Sequence, residues 1–563
     1  MKIIKVSNYT RVFHQRLNLI YQALKRIFKE ACKGLKFYFG KNSIVLLTKL
    51  TQIKTKLSYN PSNLDYVYNA SGKDQIFHKN LENPTTYNKF FPHIYNGFRY
   101  NAKETTTKAY PTKDCKDTVE WRKKLIEAAN HNILVSGNYC GDKIFDDFLE
   151  LIKSQMGSKP DLKVIILSSP NFIKRKKQKF DNIKKLEELK EGFPKRFEII
   201  ETPDIFVSTE KTLKKSTNHT KCLLIDYGKY FILGGSGIKD NFSRIGLDHN
   251  QIDEKEESND ILDKVLLPGA FRDEDFVFLD ENLKENGAGR KIYEIMLDLC
   301  KKWKKYNKAF SKNKIKSKIE TNYKKQTVTD ILIEEKKDKD FHSASSKKAQ
   351  ETSILLLEDL EKFNQSETQI FFTGPELTKK NLFLSEMIKK IEKAKSSIEI
   401  NHMYFHPPKK LMNAFCKAAN KGVKIRIVTN GVFQNSPNSH KFFGPRNKYN
   451  YFNLRSLVDS DKRNNIEVFE FEQHKKGIHK KAMIIDKKIV IAGSGNMGYK
   501  SLETTSDDEI NFIAKSKEFA KKTKEIFDKD VNFSRKIDFD SERLSLNDRI
   551  LSLVHFILAP LVG

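Results

Sequence analysis

The sequence predicts an α/β protein built from two similar halves that share one site. One observation behind this prediction is a pattern that occurs twice, as HTKCLLID at residues 219–226 and as HKKAMIID at residues 479–486. The other is the order of helical and strand patterns around these copies. This order is the same between about 116 and 300 and between about 368 and 530.

Each predicted half begins with an amphipathic helix and continues into an apolar strand. The helices read TVEWRKKLIEAAN and LSEMIKKIEKAKS, and the strands read NILVSGNY and SIEINHMYF. A second helix (FDDFLELIKS, KLMNAFCKAAN) and a second strand (LKVIILS, VKIRIVTNG) then follow in both halves. Apolar spacing of three and four residues predicts the helices, and short runs rich in Val and Ile predict the strands. The repeated order indicates an internal duplication.

The pattern divides the chain into five segments. Residues 71–300 and 368–535 are the predicted halves, and the charged residues 301–367 are predicted to link them because their apolar residues lack periodicity. Residues 1–70 are basic and contain an amphipathic helix, which either packs on the protein or lies on an anionic membrane. Residues 536–563 form an apolar tail that is too short to cross a bilayer, and packing in the core is preferred to membrane anchoring.

The composition favours an anionic partner. Lys and Arg number 103 against 72 Asp and Glu, which gives a net charge of +31. Such a surplus suits nucleic acid, an anionic membrane surface or a phosphorylated substrate. A hydrophobic content of 38% with 40 Phe excludes a wholly disordered chain. The six Cys are scattered without a CxxC motif, which argues against a zinc site or a disulfide scaffold and fits a reducing compartment.

The sequence also bears on localisation. The N-terminus has neither the apolar region nor the cleavage site of a Sec signal, and no stretch reaches the roughly 18 apolar residues of a membrane span. A cytoplasmic or peripheral membrane protein is therefore expected, as a monomer because one chain carries both motifs. Residues 441–455 interleave aromatic and basic residues, which suits stacking on single-stranded nucleic acid, but a surface loop is the simpler interpretation.

The repeated motif places a histidine and a lysine on one face of a strand. His219 and Lys221 are two residues apart, as are His479 and Lys481, and alternate residues of a strand point in the same direction. An imidazole beside an ammonium group is suited to binding and attacking a phosphate. The pattern therefore predicts one phosphodiester site with two copies of each group.

A glycine-rich turn follows each motif strand, as GGSG in the first copy and GSGN in the second. Glycine lets backbone amides approach an anion closely. Ser236, Ser494 and Asn496 are predicted to contact the phosphate. The first copy departs from the second at Gly237, which stands where Asn is expected, and Ser236 is expected to compensate.

Carboxylates complete the candidate site. Asp273 and Asp275 lie in RDEDFVF after the first copy, and Glu509 lies in DDEINF after the second. Alignment of EDFVF with DEINF matches Asp275 with Glu509, and a carboxylate here would orient the imidazole and stabilise its charged form. Asp226 and Asp486 end the two motifs and are included in the catalytic set, with a structural role expected as well.

Together these features resemble the phospholipase D superfamily, whose signature is HxKxxxxD followed by a turn such as GSxN. The resemblance spans about residues 116 to 530 and implies a duplicated α/β sandwich with a pseudo-two-fold axis and one shared active site. It implies that one histidine forms a phosphohistidine while the other protonates the leaving alcohol, that the lysines hold phosphate oxygens, and that no metal or other cofactor is required. By analogy, His219 is the nucleophile and His479 the general acid and base.

The resemblance leaves the substrate open. Hydrolysis or transphosphatidylation of phospholipids, as in phospholipase D and cardiolipin synthases, is the preferred interpretation. The alternatives are a nuclease acting on DNA or RNA and a catalytically weak protein that binds lipid or nucleic acid. The same resemblance leaves room for export as an effector of an intracellular bacterium.

Overall fold

The computed structural model describes most of the chain beyond its N-terminal segment. The described residues are 104–169, 182–203, 205–209, 212–242, 270–281, 283, 287–311, 327–352, 357–374, 381–431, 438–471, 476–503, 506–546, 548–552 and 555. The basic segment 1–70, with its predicted amphipathic helix, lies outside them.

Helices and strands alternate in both halves, which confirms the predicted α/β class. The first half contains β1 (Thr105–Pro111), α1 (Cys115–Ala128), β2 (Asn132–Gly137), α2 (Asp142–Ser158), β3 (Lys163–Ser168), α3 (Asn182–Gly192), β4 (Phe197–Glu201), β5 (Ile205–Thr209), β6 (Thr212–Ser216), β7 (Lys221–Ile225), β8 (Tyr230–Gly234), β9 (Ala270–Arg272), β10 (Asp275–Leu279), α4 (Ala288–Ser311), α5 (Val328–Glu335), α6 (Phe341–Gln350) and α7 (Leu357–Leu360). The second half contains β11 (Asn364–Thr373), α8 (Leu382–Glu392), β12 (Ser397–His402), α9 (Lys409–Asn420), β13 (Lys424–Asn430), α10 (Asn438–Leu457), β14 (Ile466–Phe471), β15 (Lys476–Ile478), β16 (Lys481–Ile485), β17 (Ile489–Gly493), β18 (Glu509–Lys515), α11 (Lys517–Asn532) and β19 (Ser534–Lys536).

The strand order is the same in the two halves. The first runs β4-β3-β2-β7-β8-β10-β1 and the second β14-β13-β12-β16-β17-β18-β11. In each order the first three strands are parallel and the remaining pairs are antiparallel. Antiparallel pairing of β1 with β11 joins the halves, so that one 15-stranded sheet runs through the described part of the chain.

Local sequence explains the ends of several helices. Asp114, Asn381 and Ser516 cap α1, α8 and α11, and each side chain accepts a hydrogen bond from a backbone N–H in the first turn. Such caps stabilise a helix start by about 1 kcal/mol. The motif strands β7 and β16 are buried along their whole length. Each strand is continuously apolar after its lysine because both of its faces are covered. Helices pack on one face, and the opposite half of the protein packs on the other face.

The two halves pack face to face through an aromatic core. The Phe276 and Phe278 rings of β10 lie 5.0 and 4.9 Å from Phe512 of β18, in edge-to-face contacts. Buried aliphatic residues of β7 and β16, including Leu224 and Ile484, belong to the same cluster. This packing brings the beginnings of the two motif strands to the interface between the halves.

The segment 301–367 differs from the predicted linker. It contains the end of α4, then α5, α6 and α7, and the second half already begins with β11 at Asn364. Val328 and Leu332 of α5 are buried, and the Thr329 hydroxyl donates to Glu198 of β4 at 2.8 Å. These helices have only 8, 10 and 4 residues, so the sequence shows little periodicity although the segment packs on the first half.

One further expectation changes near the C-terminus, and another agrees with the structure as far as it is described. Residues 441–455, interpreted as a loop, lie within α10, where Tyr451 and Leu454 are buried. The described part of the tail contacts this helix, because the Ser552 hydroxyl donates to the Pro445 carbonyl at 2.9 Å. Residues 556–563 at the end of the tail lie outside the described residues. Among the helices that are described, none has the length and hydropathy required to cross a membrane.

Candidate active site

The two motifs begin side by side at the interface of the halves. His219 precedes β7 and His479 precedes β16, and all four motif side chains of histidine and lysine are buried. The Lys221 ammonium donates to the His219 carbonyl at 2.8 Å, and the Lys481 ammonium donates to the His479 carbonyl at 2.6 Å. Each lysine therefore folds back over its own histidine, as the two-residue spacing on an extended chain allows.

A carboxylate of the second half holds the histidine of the first half. His219 Nδ1 lies 2.9 and 3.1 Å from the two oxygens of Glu509 at the start of β18. Glu509 also accepts hydrogen bonds from the hydroxyls of Ser494, at 2.6 Å, and Ser501, at 2.8 Å. Burial raises the pKa of Glu509, whereas the neighbouring His219 and Lys221 lower it. The lowering is larger, so the pKa of Glu509 lies below its usual value.

The reverse contact holds the histidine of the second half. His479 Nδ1 lies 2.7 Å from Asp273 Oδ2, and the His479 backbone N–H donates to the Arg272 carbonyl at 2.9 Å. The His219 backbone N–H likewise donates to the Asp508 carbonyl at 3.0 Å. Each imidazole is thus oriented by residues of the opposite half, and each motif histidine takes its carboxylate partner from that half.

The structure corrects the predicted role of Asp275. In the strand register Asp275 pairs with Gly234, and Asn511 pairs with Gly493. The counterpart of Asp275 is therefore Asn511, and the counterpart of Glu509 is Asp273. The alignment of EDFVF with DEINF matched the apolar runs but placed β10 two residues out of register with β18. A shift of two residues keeps every side chain on the same face of its strand, so the sequence pattern does not reveal it.

Asp275 instead anchors the first glycine turn. Its Oδ2 accepts from Arg122 at 3.0 Å, and its Oδ1 accepts from the Ser236 backbone N–H at 3.1 Å. Arg122 also donates to the carbonyls of Ser236 and Gly237, both at 3.0 Å. The ion pair therefore fixes the shape of the turn, whereas Asp273 contacts the imidazole.

The two glycine turns place different residues beside the carboxylates that bind the histidines. By the register above, Gly235 occupies the position of Ser494, and a Cβ at Gly235 would lie 2.5 Å from Asp273 Oδ1. The first turn therefore has no hydroxyl beside its carboxylate. The Ser494 hydroxyl, predicted to contact phosphate, is already bonded to Glu509. Asn496 Oδ1 is buried without a hydrogen-bond partner among the described residues, and as an acceptor it is suited to a ligand hydroxyl or N–H group but not to a phosphate oxygen.

The aspartates that end the motifs lie away from the imidazoles. Asp226, at the far end of β7, accepts backbone N–H bonds from the three residues 130–132 at 2.7 to 2.9 Å and a hydroxyl bond from Thr352 at 2.7 Å. Asp486 accepts the corresponding N–H bonds from residues 395–397. Their expected place in the catalytic set is corrected, because they hold the turns between α1 and β2 and between α8 and β12.

Replacement of Asp226 by Ala should lower stability without changing the chemistry. The change leaves three backbone N–H groups and the Thr352 hydroxyl without their acceptor, which we expect to reduce the free energy of unfolding by about 3 kcal/mol. Denaturant unfolding measures this loss. Below the melting transition, kcat should stay within about twofold of the wild type. A fall in kcat of a hundredfold or more in folded protein would contradict the structural role.

Burial lowers the pKa of all four histidines and lysines of the two motifs. Burial is the main cause for both lysines, and it lowers the pKa of Lys221 to about 7 and that of Lys481 to about 8. It also lowers the pKa of His219 below the ordinary 6.5, and that of His479 well below it, with Lys481 and Lys221 adding to the effect on His479. An anion that enters the site would counteract all four shifts.

Sequence reasoning missed several residues that shape the site. Ser501 and Arg122 have no motif around them, and only the tertiary contacts above assign them a place. Phe242 and Phe271 pack against the His479 ring at centroid distances of 4.9 and 5.4 Å. The arrangement combines two oriented imidazoles with two buried ammonium groups, a set suited to nucleophilic attack on a phosphodiester.

Part of the chain is similar to known proteins. A family model described as the phospholipase D-like domain of cardiolipin synthase matches residues 387–531. Cardiolipin synthase 1 of Staphylococcus epidermidis is 29% identical over 165 residues, which are 28% of this chain and 30% of that protein. Cardiolipin synthase of Clostridium perfringens strain 13 is 28% identical over 196 residues, 34% of this chain and 37% of that protein. The chain thus spans about a third of the length of these curated relatives.

A solved structure extends the similarity to most of the chain. The crystal structure of phosphatidylserine synthase from Haemophilus influenzae Rd KW20 superposes with a TM-score of 0.51. The superposition covers 82% of this chain and 96% of that one, at 13% sequence identity. At this identity the likeness shows a common fold alone.

Proposed function

Because the chain belongs to the phospholipase D superfamily, we propose that it hydrolyses phospholipid phosphodiesters or transfers their phosphatidyl group to an alcohol. The observation that carries the proposal is the reciprocal pairing of the two halves. Glu509 of the second half binds His219, and Asp273 of the first half binds His479. Both imidazoles therefore face one composite site that also contains the two motif lysines.

In the first step, His219 Nε2 attacks phosphorus. An ionised Glu509 only accepts hydrogen bonds, so the proton of His219 resides on Nδ1 and the lone pair on Nε2 points away from the carboxylate. A nitrogen–phosphorus bond forms while the ester bond to the leaving alcohol breaks. His479, oriented by Asp273, gives its proton to the leaving oxygen, and the two lysines stabilise charge on the non-bridging oxygens.

In the second step, water or an acceptor alcohol attacks the phosphohistidine. His479, now neutral, removes the proton from this nucleophile as the oxygen–phosphorus bond forms. The nitrogen–phosphorus bond breaks and returns its electron pair to His219. The side-chain N–H groups of Asn496 are suited to donate to the phosphate in both steps. The backbone N–H groups of residues 494–496 already donate to Ile510, Asn511 and Ser501.

Activity should depend on pH because the lysines titrate near neutrality. Phosphate binding needs both ammonium groups protonated, and their pKa values are about 7 for Lys221 and about 8 for Lys481. We therefore expect KM to rise as pH rises through 7 to 8, and this weaker binding is the alkaline limb that the lysines cause. The decline of kcat/KM should begin at lower pH, because the acid His479 must be protonated and its pKa in the free protein lies well below 6.5. Profiles of KM and of kcat/KM at constant ionic strength separate the two effects.

A charge-preserving variant tests the origin of the alkaline limb. Lys221→Arg keeps a cation at every accessible pH, so the rise in KM should move upward toward about 8, the pKa of Lys481. The same alkaline limb in this variant and in the wild type would show that another group controls binding.

The function can be tested with mixed phospholipid vesicles, ethanol and EDTA. Mass spectrometry should detect phosphatidylethanol with the wild type and none with His479→Ala. His131→Ala is a suitable control, since His131 lies beside Asp226 and pairs with Glu351 at the surface. Absence of phosphatidylethanol and phosphatidic acid with wild-type protein would contradict the lipid proposal.

The net charge of +31 favours nucleic acid as the second candidate substrate. A nuclease would degrade DNA or RNA in EDTA, and His219→Ala would abolish this activity. Retained binding of lipid or nucleic acid by both histidine variants, without turnover by the wild type, would instead identify a binding protein.

A further inference from the structure

A cluster of buried charges lies behind the His479–Asp273 pair. Side chains alternate along an extended chain, so Lys480 points away from the face that carries its neighbours His479 and Lys481. In the same way Arg272 and Glu274 point away from the face of Asp273. Asp530 of α11 meets these side chains, and all four members of the cluster are at most 3% exposed.

Asp530 binds both strands at once. The Lys480 ammonium donates to Asp530 Oδ2 at 2.6 Å, and the Arg272 Nε donates to Asp530 Oδ1. Lys480 also lies 3.5 Å from Glu274 Oε2, and the Asn401 amide donates to Asp530. One carboxylate of the second half therefore joins the residue next to His479 and the residue next to Asp273.

The location of Asp530 is unfavourable without these cations. It lies in the last turn of α11, where the helix dipole disfavours a negative charge. Burial raises the pKa of Asp530, whereas Lys480 and Arg272 lower it. The lowering is larger, so the pKa of Asp530 lies below its usual value. Asp530 remains charged because two cations face it, and each of those cations belongs to a different half.

We propose that Asp530 is a positioning residue that sets the contact between His479 and Asp273 by holding Lys480 and Arg272 together. The contact it controls is the 2.7 Å hydrogen bond of His479 Nδ1. This inference rests on the proposed function for its kinetic readout, and the contact itself can be observed without turnover.

A related device lies behind the other pair. Asp508, next to Glu509, accepts from the Lys302 ammonium at 2.6 Å and from the Trp303 indole at 3.2 Å. Lys302 and Trp303 belong to α4, the helix that follows β10 as α11 follows β18. Here the helix supplies the cation and the strand supplies the anion. Each half thus uses the helix after its last core strand to hold a residue beside a histidine–carboxylate pair.

The experiment compares Asp530→Asn with Asp528→Asn. Asp528 lies on the same helix and forms an ion pair with Arg426 in which both side chains are partly exposed, so it controls for the loss of one carboxylate from α11. We expect Asp530→Asn to lower kcat at least about tenfold with KM within about twofold, since small displacements of reacting groups slow chemistry strongly. Asp528→Asn should keep the kcat of the wild type.

A second readout follows His479 directly. The ¹⁵N resonances of its imidazole report the tautomer that Asp273 fixes, and Asp530→Asn should change them whereas Asp528→Asn should not. If the wild type lacks activity on every phosphodiester, the proposed function fails while these resonances still test the positioning role. A folded Asp530→Asn protein with wild-type kcat and unchanged His479 resonances would overturn the inference.

Arg272→Lys provides the test if Asp530→Asn does not fold. This variant keeps the buried charge but loses the planar guanidinium that contacts Asp530. We expect a melting temperature close to that of the wild type, a lower kcat and shifted His479 resonances. Unchanged kcat and resonances in this variant would also overturn the inference.

Discussion

Replacement of His219 by Ala should lower kcat by about six orders of magnitude, the loss found when a covalent nucleophile is removed. In the proposed mechanism its Nε2 forms the bond to phosphorus, and a methyl group cannot replace it. His479→Ala should lower kcat by about two to four orders of magnitude with natural phospholipids, because the leaving alcohol then departs without a proton. Initial rates on short-chain phosphatidylcholine, with the folded state checked by circular dichroism, measure both losses.

A substrate with a good leaving group separates the two roles. A p-nitrophenyl phosphodiester does not need protonation of its leaving group, so His479→Ala should release p-nitrophenol in a burst and accumulate a phosphohistidine on His219. Acid-labile, base-stable mass on the peptide containing His219 would identify it. His219→Ala should show no burst. A burst in His219→Ala together with modified His479 would reverse the two assignments.

Asp273→Asn and Asp275→Asn should impair different properties. The first should lower kcat, and the second should lower the free energy of unfolding. Asp273 contacts His479 Nδ1 at 2.7 Å, and an amide in its place no longer fixes the tautomer, so kcat should fall about a hundredfold or more. Asp275 pairs with the buried Arg122, and its replacement should reduce the free energy of unfolding by about 3 kcal/mol because the guanidinium loses its charge partner.

The two variants control for each other because both remove one buried carboxylate from the same short segment. Thermal and denaturant unfolding give the stability of each protein, and kcat is measured well below both melting transitions. Folded Asp275→Asn should keep kcat within about fivefold of the wild type, as the turn it anchors retains its other contacts. The reverse result, a catalytic loss at Asp275 and a stability loss at Asp273, would contradict the register described above.

The sequence alone was sufficient for the paired motifs because their chemistry is local. His219 and Lys221 share a face through the two-residue period of an extended chain, and the same holds for His479 and Lys481. The apolar runs after each motif indicated strands, and these runs form β7 and β16. Repetition made the pattern informative, since a single HxKxxxxD occurs readily in a lysine-rich chain.

Contacts between distant segments were not accessible in this way. A shift of two residues moves no side chain to the other face of a strand, so the apolar pattern could not distinguish Asp273 from Asp275 as the partner of His479. The pairing of β10 with β8 and of β18 with β17 decided that choice. The helices α5 and α6 were missed for a related reason, because their burial depends on a surface that other elements provide.

The sequence by itself determined the α/β class, the two copies of the motif and the pairing of each histidine with a lysine. Those properties depend on residue type and on spacing of a few positions, and physical chemistry applies to them without knowledge of the fold. The tertiary structure decided which carboxylate orients each imidazole, that Asp226 and Asp486 hold turns away from the imidazoles, and that Asp530 lies behind His479. These depend on strand register and on the packing of one half against the other, which bring together residues far apart in the chain.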